Sequence, residues 1–157
     1  MLHAGAASSD RTAVRELLDA FQAAERAGVQ ALGRWIAVCR NPRLRGGLRV
    51  LRARDARHAT LAEGRLRALG GVPSASVGRD LGALLAVIAN PEVSDRSKVA
   101  MLLGRVPLHD RSPLADAAAR LTDDPETQAL LETIGDDEQS AVEWLRRMAE
   151  TLEREDA

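Results

Sequence analysis

Four residues of metal-ligating type interrupt the apolar stripes of three long helical segments. Glu25 fills a gap in the first stripe, Asp55 and His58 fill one in the second, and Glu138 fills one in the last. Because each helix turns its apolar stripe inward, we expect these side chains to meet at mid-height in a shared core. A carboxylate there costs on the order of several kcal/mol unless it is paired or bound to a cation.

The types and spacing of these residues are typical of a metal site inside a helical bundle. In such sites one helix gives a carboxylate, the next gives an acid and a His at i and i+3, and the other two helices repeat the pattern. Asp55 and His58 have this i, i+3 spacing. Carboxylate and imidazole together suit iron or manganese. The sequence therefore predicts one or two such ions held by Glu25, Asp55, His58 and Glu138.

The segments that carry these residues resemble the ferritin-like, rubrerythrin-type proteins. The similarity of organisation covers residues 10–153 and rests on short motifs: Ala-Glu-Arg-Ala-Gly at 24–28, Asp-Ala-Arg-His-Ala at 55–59, Leu-Gly-Gly at 69–71, Asp-Asp-Glu at 136–138 and Trp-Leu at 144–145. The resemblance implies an all-α, ferritin-like four-helix bundle. It also implies that Glu25 is a terminal carboxylate, Asp55 and Glu138 are bridging carboxylates, and His58 is a ligand. The implied activity is an iron- or manganese-dependent oxidoreductase that acts on oxygen or peroxide with a redox partner.

Several positions depart from the family pattern. Asp55 stands where the family usually has Glu, and Ala141 stands where the second His belongs. The apolar stripe at 99–106 contains no acid, although His109 and Asp110 follow it and could fold back toward the site. The second metal position therefore lacks clear ligands.

An alternative hypothesis needs no metal. Glu25 and Glu138 could accept hydrogen bonds from His58 or from an arginine such as Arg54, forming a buried polar network. The chain would then be a non-catalytic helical bundle that lost its metal site and acts through oligomerisation or partner binding.

Charge is distributed unevenly along a chain whose net charge is only -1. Residues 40–67 hold nine Arg against two acids, whereas residues 122–157 hold twelve acids against three Arg. The two stretches could attract each other within one bundle or between two copies, which favours a homo-oligomer. Nucleic-acid binding is the less favoured interpretation, because an arginine-rich helix face is usually solvated.

The hydrophobic periodicity predicts one helical-bundle domain over residues 9–153, with a disordered tail at 1–8 and a short tail at 154–157. The third helix region is broken by Pro residues. The predicted helices are 9–39, with a cap at Ser9 or Asp10, then 44–69, 77–89, 96–106, 113–121 and 125–153. Asn41-Pro42 should end the first helix and Gly70-Gly71 the second. Ser94 or Asp95 should cap the helix at 96–106, and Asp123 or Asp124 the last one.

Composition agrees with an all-helical, cytoplasmic protein. Aromatic residues make up only 2% of the chain, so Leu, Val, Ile and Ala must build the core. The single Cys39 excludes an internal disulfide framework and favours a reducing compartment. No apolar run has the length of a membrane span, and no signal peptide precedes the first helix.

Overall fold

A computed structural model describes residues 3–105, 113–121 and 123–155, and their side chains from residue 11 onward with the exception of Pro113. Every regular element in these ranges is an α-helix, which confirms the all-α prediction. The helices are α1 (His3–Val38), α2 (Pro42–Ala68), α3 (Arg79–Ala89), α4 (Asp95–Gly104), α5 (Pro113–Arg120) and α6 (Pro125–Glu155).

A tight link joins α1 to α2 and makes them an antiparallel pair. The Asn41 side chain accepts hydrogen bonds from the backbone N–H groups of Arg43 and Leu44, so it caps α2. Pro42 occupies the first turn, where its missing N–H is not needed. The predicted break at Asn41-Pro42 is thus confirmed, and α2 begins two residues before the predicted Leu44.

Glycine conformation and capping side chains account for other helix ends. Gly70 adopts φ 79°, a left-handed conformation that suits glycine, and the Gly71 N–H donates to the Leu66 carbonyl. Among the predicted caps, Ser94 accepts from the Ser97 N–H of α4, and Asp124 accepts from the Thr127 N–H of α6.

The first helix differs from the prediction at its start. It begins at His3 and not at the predicted Ser9 or Asp10 cap, so most of the predicted 1–8 tail is helical. Ala4, Ala6 and Ala7 favour the extension, because alanine has the highest helix propensity.

Packing places α2 at the centre of the long helices. It contacts α1 on one side and α6 on the other, while α3 packs against α1, and α4 and α5 pack against α6. The third region is broken into three short helices, α3, α4 and α5, as predicted. None of the helices in the described ranges is both long and apolar enough to cross a lipid bilayer.

Two hydrophobic clusters occupy opposite ends of the long helices. One contains Leu32, Trp35, Leu44, Leu48, Leu84, Ile88, Val99, Leu145, Met148 and Leu152. The other contains Val14, Leu18, Ala62, Leu66, Leu114, Ala118, Leu131 and Ile134. Glu25, Asp55, His58 and Glu138 lie between the two clusters along their helices. The interior is therefore two apolar clusters separated by a polar layer.

Candidate metal centre

Three of the four predicted ligands converge within the polar layer. Glu25 comes from α1, and Asp55 and His58 come from consecutive turns of α2, so the last two share one face. Each offers one ligand atom, and the three atoms lie within 4.8 Å of one another. His58 Nδ1 is 3.6 Å from Glu25 Oε2, and the side chains are only 4% and 17% exposed.

A residue that the sequence interpretation missed holds the His58 ring. Asp137 of α6 has its Oδ2 atom 2.9 Å from His58 Nε2, and its Oδ1 atom is 3.8 Å from Arg54 Nη1. When Nε2–H donates to Asp137, the lone pair of Nδ1 faces Glu25 and Asp55. A carboxylate behind a histidine is the usual arrangement that orients an imidazole ligand toward a metal.

Burial and mutual repulsion disfavour the ionised form of Asp55. Loss of hydration and the nearby Glu25 carboxylate raise the pKa of Asp55 to about 7, with a smaller contribution from Glu138, and His58 and Arg54 oppose this only in part. For His58, burial lowers the pKa, but the carboxylates of Glu25 and Asp137 outweigh it and the net pKa is raised. Without a bound cation, the cluster therefore favours the protonated forms of both Asp55 and His58.

The innermost carboxylate oxygen lacks a hydrogen-bond donor. Glu25 Oε2 is buried and has no hydrogen-bond partner among the described residues. Its neighbour His58 Nδ1, at 3.6 Å, is too far away for a hydrogen bond. A buried, unsatisfied oxygen of this kind needs an explanation, and a cation among the three groups would supply one.

Glu138 lies at the margin of this cluster. It is partly buried on α6 and close enough to Asp55 to raise its pKa, but it is not in the group of atoms within 4.8 Å. Asp137 and Trp144, seven residues apart, are on the side of α6 that faces α2. Glu138 instead belongs to the apolar stripe of α6. That stripe is offset by one residue from Asp137 and Trp144, so it points in a different direction from the side that faces α2.

The second half of a two-metal site has no counterpart in the described part of the chain. Glu25, Asp55 and His58 form the one group of three or more potential ligands in those ranges. Ala141 gives no ligand, and His109 and Asp110 lie outside the described residues.

Comparisons with protein-family models, curated proteins and solved structures gave no match to this chain.

Proposed function

We propose that this chain is a metal-binding protein of ferritin-like organisation that holds one iron or manganese ion between α1 and α2. Glu25, Asp55 and His58 would be the protein ligands. The observation that carries the proposal is the convergence of two carboxylates and one imidazole within 4.8 Å, where one of the carboxylates, Glu25, has a buried oxygen without a hydrogen-bond donor.

Charge supports a divalent cation at this position. Two adjacent carboxylates in a partly buried layer repel each other. A cation between them attracts both and offsets this repulsion. The same cation would favour the ionised form of Asp55, whose pKa burial and Glu25 raise to about 7. The mixture of two oxygens and one nitrogen suits iron or manganese, and such a small ligand set leaves positions open for water or substrate.

Each residue around the ion would have a separate role. Glu25 and Asp55 would supply negative charge, and His58 would bind through Nδ1 with its ring held by Asp137. A bound iron or manganese ion would supply redox chemistry with oxygen or peroxide. The Asp137 side chain is 40% exposed, so it joins the buried His58 ring to solvent and could pass protons between them.

Metal analysis tests this proposal directly. The protein is purified from cultures supplemented with iron or with manganese, and its metal content is measured by mass spectrometry after gel filtration. We expect about one ion per chain in the wild type and a loss of most of it in Glu25→Gln and His58→Ala. Glu16→Gln, which removes one exposed carboxylate of α1 away from the site, is the matched control and should keep the ion. A wild type free of metal under both conditions would refute the proposal.

A second candidate function rests on the hydrogen bond between His58 and Asp137. This bond and the Arg54–Asp137 ion pair satisfy part of the polar layer without any metal. The chain would then be a non-catalytic helical module. In that case His58→Ala should destabilise metal-free protein, and added iron or manganese should leave the melting temperature of the wild type unchanged.

A further inference from the structure

The exposed side of α2 carries arginines without acidic partners. Arg43 and Arg57 are exposed, and neither side chain forms an ion pair or a hydrogen bond with the described residues. The arginines of α2 that pair with acids of α6 are Arg54 and Arg65. The positive charge on the outer side of α2 is therefore uncompensated within this part of the chain.

The exposed side of α6 is rich in acids, and one exposed arginine, Arg147, lies between the last two of them. Four acids recur there at intervals of four and seven residues, which puts them on one side of the helix. All four are exposed, and their side chains form no ion pair with a residue of the described ranges. The residues of this acidic ridge are Glu132, Asp136, Glu143 and Glu150.

Contacts within one chain give the relative height of the two helices. Arg65 contacts Asp124 at one end, and Asn41 contacts Glu155 at the other, so α2 and α6 run antiparallel. His58 contacts Asp137 between them.

From this register, Arg57 and Asp136 lie within about 3 Å of the same height, since each is one residue from the His58–Asp137 contact and the two helices run in opposite directions. Arg43 and Glu150 also match, because 14 residues separate Arg43 from Arg57 and 14 separate Asp136 from Glu150. Both intervals correspond to about 21 Å of α-helix.

We propose that the outer faces of α2 and α6 bind the same faces of a second copy of this chain, with the two-fold axis parallel to the helices. Rotation about such an axis keeps the height of every residue and exchanges left and right, so α2 of one copy faces α6 of the other. Arg57 then faces Asp136 of the second copy, and Arg43 faces Glu150. A two-fold axis perpendicular to the helices would instead place α2 on α2 and arginine against arginine.

Two apolar side chains are exposed on the same side of α2. Val50 is 65% exposed and lies on the outer side of α2, midway between Arg43 and Arg57. Leu61 is 39% exposed and lies on the same helix, four residues beyond Arg57. In the register above, Val50 and Leu61 lie at the heights of Glu143 and Glu132 of the second copy, so the two charge pairs, and not apolar contact, support the proposal.

Sedimentation velocity over a range of concentrations tests the surface. At low salt we expect a species with the mass of two 16.9 kDa chains, and dissociation as salt rises from about 50 mM to about 500 mM, because exposed ion pairs are screened. Arg57→Glu should raise the dissociation constant at least about tenfold, and so should Asp136→Arg. Arg34→Glu, the same charge reversal on the exposed part of α1, should change nothing.

Charge exchange makes the test specific to this geometry. The double variant Arg57→Glu/Asp136→Arg restores both opposite-charge pairs and should dimerise like the wild type. A mixture of the two single variants should form a heterodimer, because each of its two pairs then joins opposite charges. Circular dichroism confirms that each variant is folded. A wild type that is monomeric at low salt, a dimer unaffected by Arg57→Glu, or a double variant that does not recover would each overturn the proposal.

Discussion

Replacing Asp55 with asparagine removes a negative charge from the polar layer and keeps the size of the side chain. Asp55 is partly buried beside Glu25, and its pKa rises from 3.8 to about 7 for this reason. The folded state therefore favours the neutral form, which asparagine imitates at every pH. We expect Asp55→Asn to stabilise the metal-free protein.

The raised pKa sets the size and the pH dependence of this effect. A shift of about three units corresponds to an upper bound of about 4 kcal/mol, and solvent screening at a partly exposed side chain reduces this to about 2 kcal/mol. A group whose pKa is higher in the folded state contributes its full stability below the unfolded pKa, near 3.8, and loses it as the pH rises through about 7. The advantage of Asp55→Asn should thus be close to zero near pH 4 and largest above pH 7.

Urea unfolding of chelator-treated protein measures this difference in the free energy of unfolding. The series runs from acidic to mildly alkaline pH, with Glu16→Gln as a charge-matched control at an exposed position of α1. Manganese is then added at neutral pH. It should stabilise the wild type by mass action and leave Asp55→Asn unchanged, because the variant lacks a ligand charge.

The metal-free and metal-bound measurements separate two conclusions. An Asp55→Asn variant that is less stable than the wild type above pH 7 would refute the reasoning about repulsion with Glu25. Equal stabilisation of both proteins by manganese would refute the role of Asp55 as a ligand, whatever the metal-free result.

Three further predictions concern the contacts around α6. Asp137→Asn should weaken manganese binding about 10- to 100-fold in a calorimetric titration, because it loosens the ring of His58, and unchanged affinity would contradict this role. Asp124→Asn should lower the melting temperature at pH 7 and progressively less below about pH 3.8, because burial raises the pKa of Asp124 but hydrogen bonds from Thr127 and Arg65 outweigh it and hold the pKa below its usual value. An effect that does not shrink on acidification would argue against this reasoning. Gly47→Val should lower the free energy of unfolding in urea by about 1–3 kcal/mol, because a β-carbon at Gly47 would overlap the indole of Trp144. An unchanged urea midpoint would show that α2 can move away from α6 without cost.

Local sequence patterns were sufficient to predict most of the secondary structure and the pairing of Asp55 with His58 on one face of α2. Asn41-Pro42, Gly70-Gly71 and Ser94 act on backbone groups within a few residues, so their effects can be read from sequence. Asp55 and His58 share a face because the helical repeat alone requires it. Glu25 was found for a similar reason, since it interrupts the apolar stripe of α1.

Other features depended on how the helices pack. The stripe of α6 pointed to Glu138, but the rotation of α6 against α2 brings Asp137 to His58. Lys98 is fully buried with its Nζ atom 5.5 Å from the centre of the Trp35 ring, although α4 offered no strong periodicity that would have predicted it. Rotating a helix by one residue changes which side chains meet the neighbouring helix. The hydrophobic pattern of the sequence is almost the same for both rotations.

By itself, the sequence determined that the chain is helical, where most helices end, and which two residues of α2 lie together with Glu25 at the height of a polar layer. These are consequences of backbone hydrogen bonding and of a 3.6-residue repeat, which act within a single segment. Only the tertiary structure decided which carboxylate of α6 holds His58, which oxygen is left without a donor, and which charged faces stay exposed. Those outcomes depend on the rotation and height of one helix against another, and side chains distant in sequence set them together.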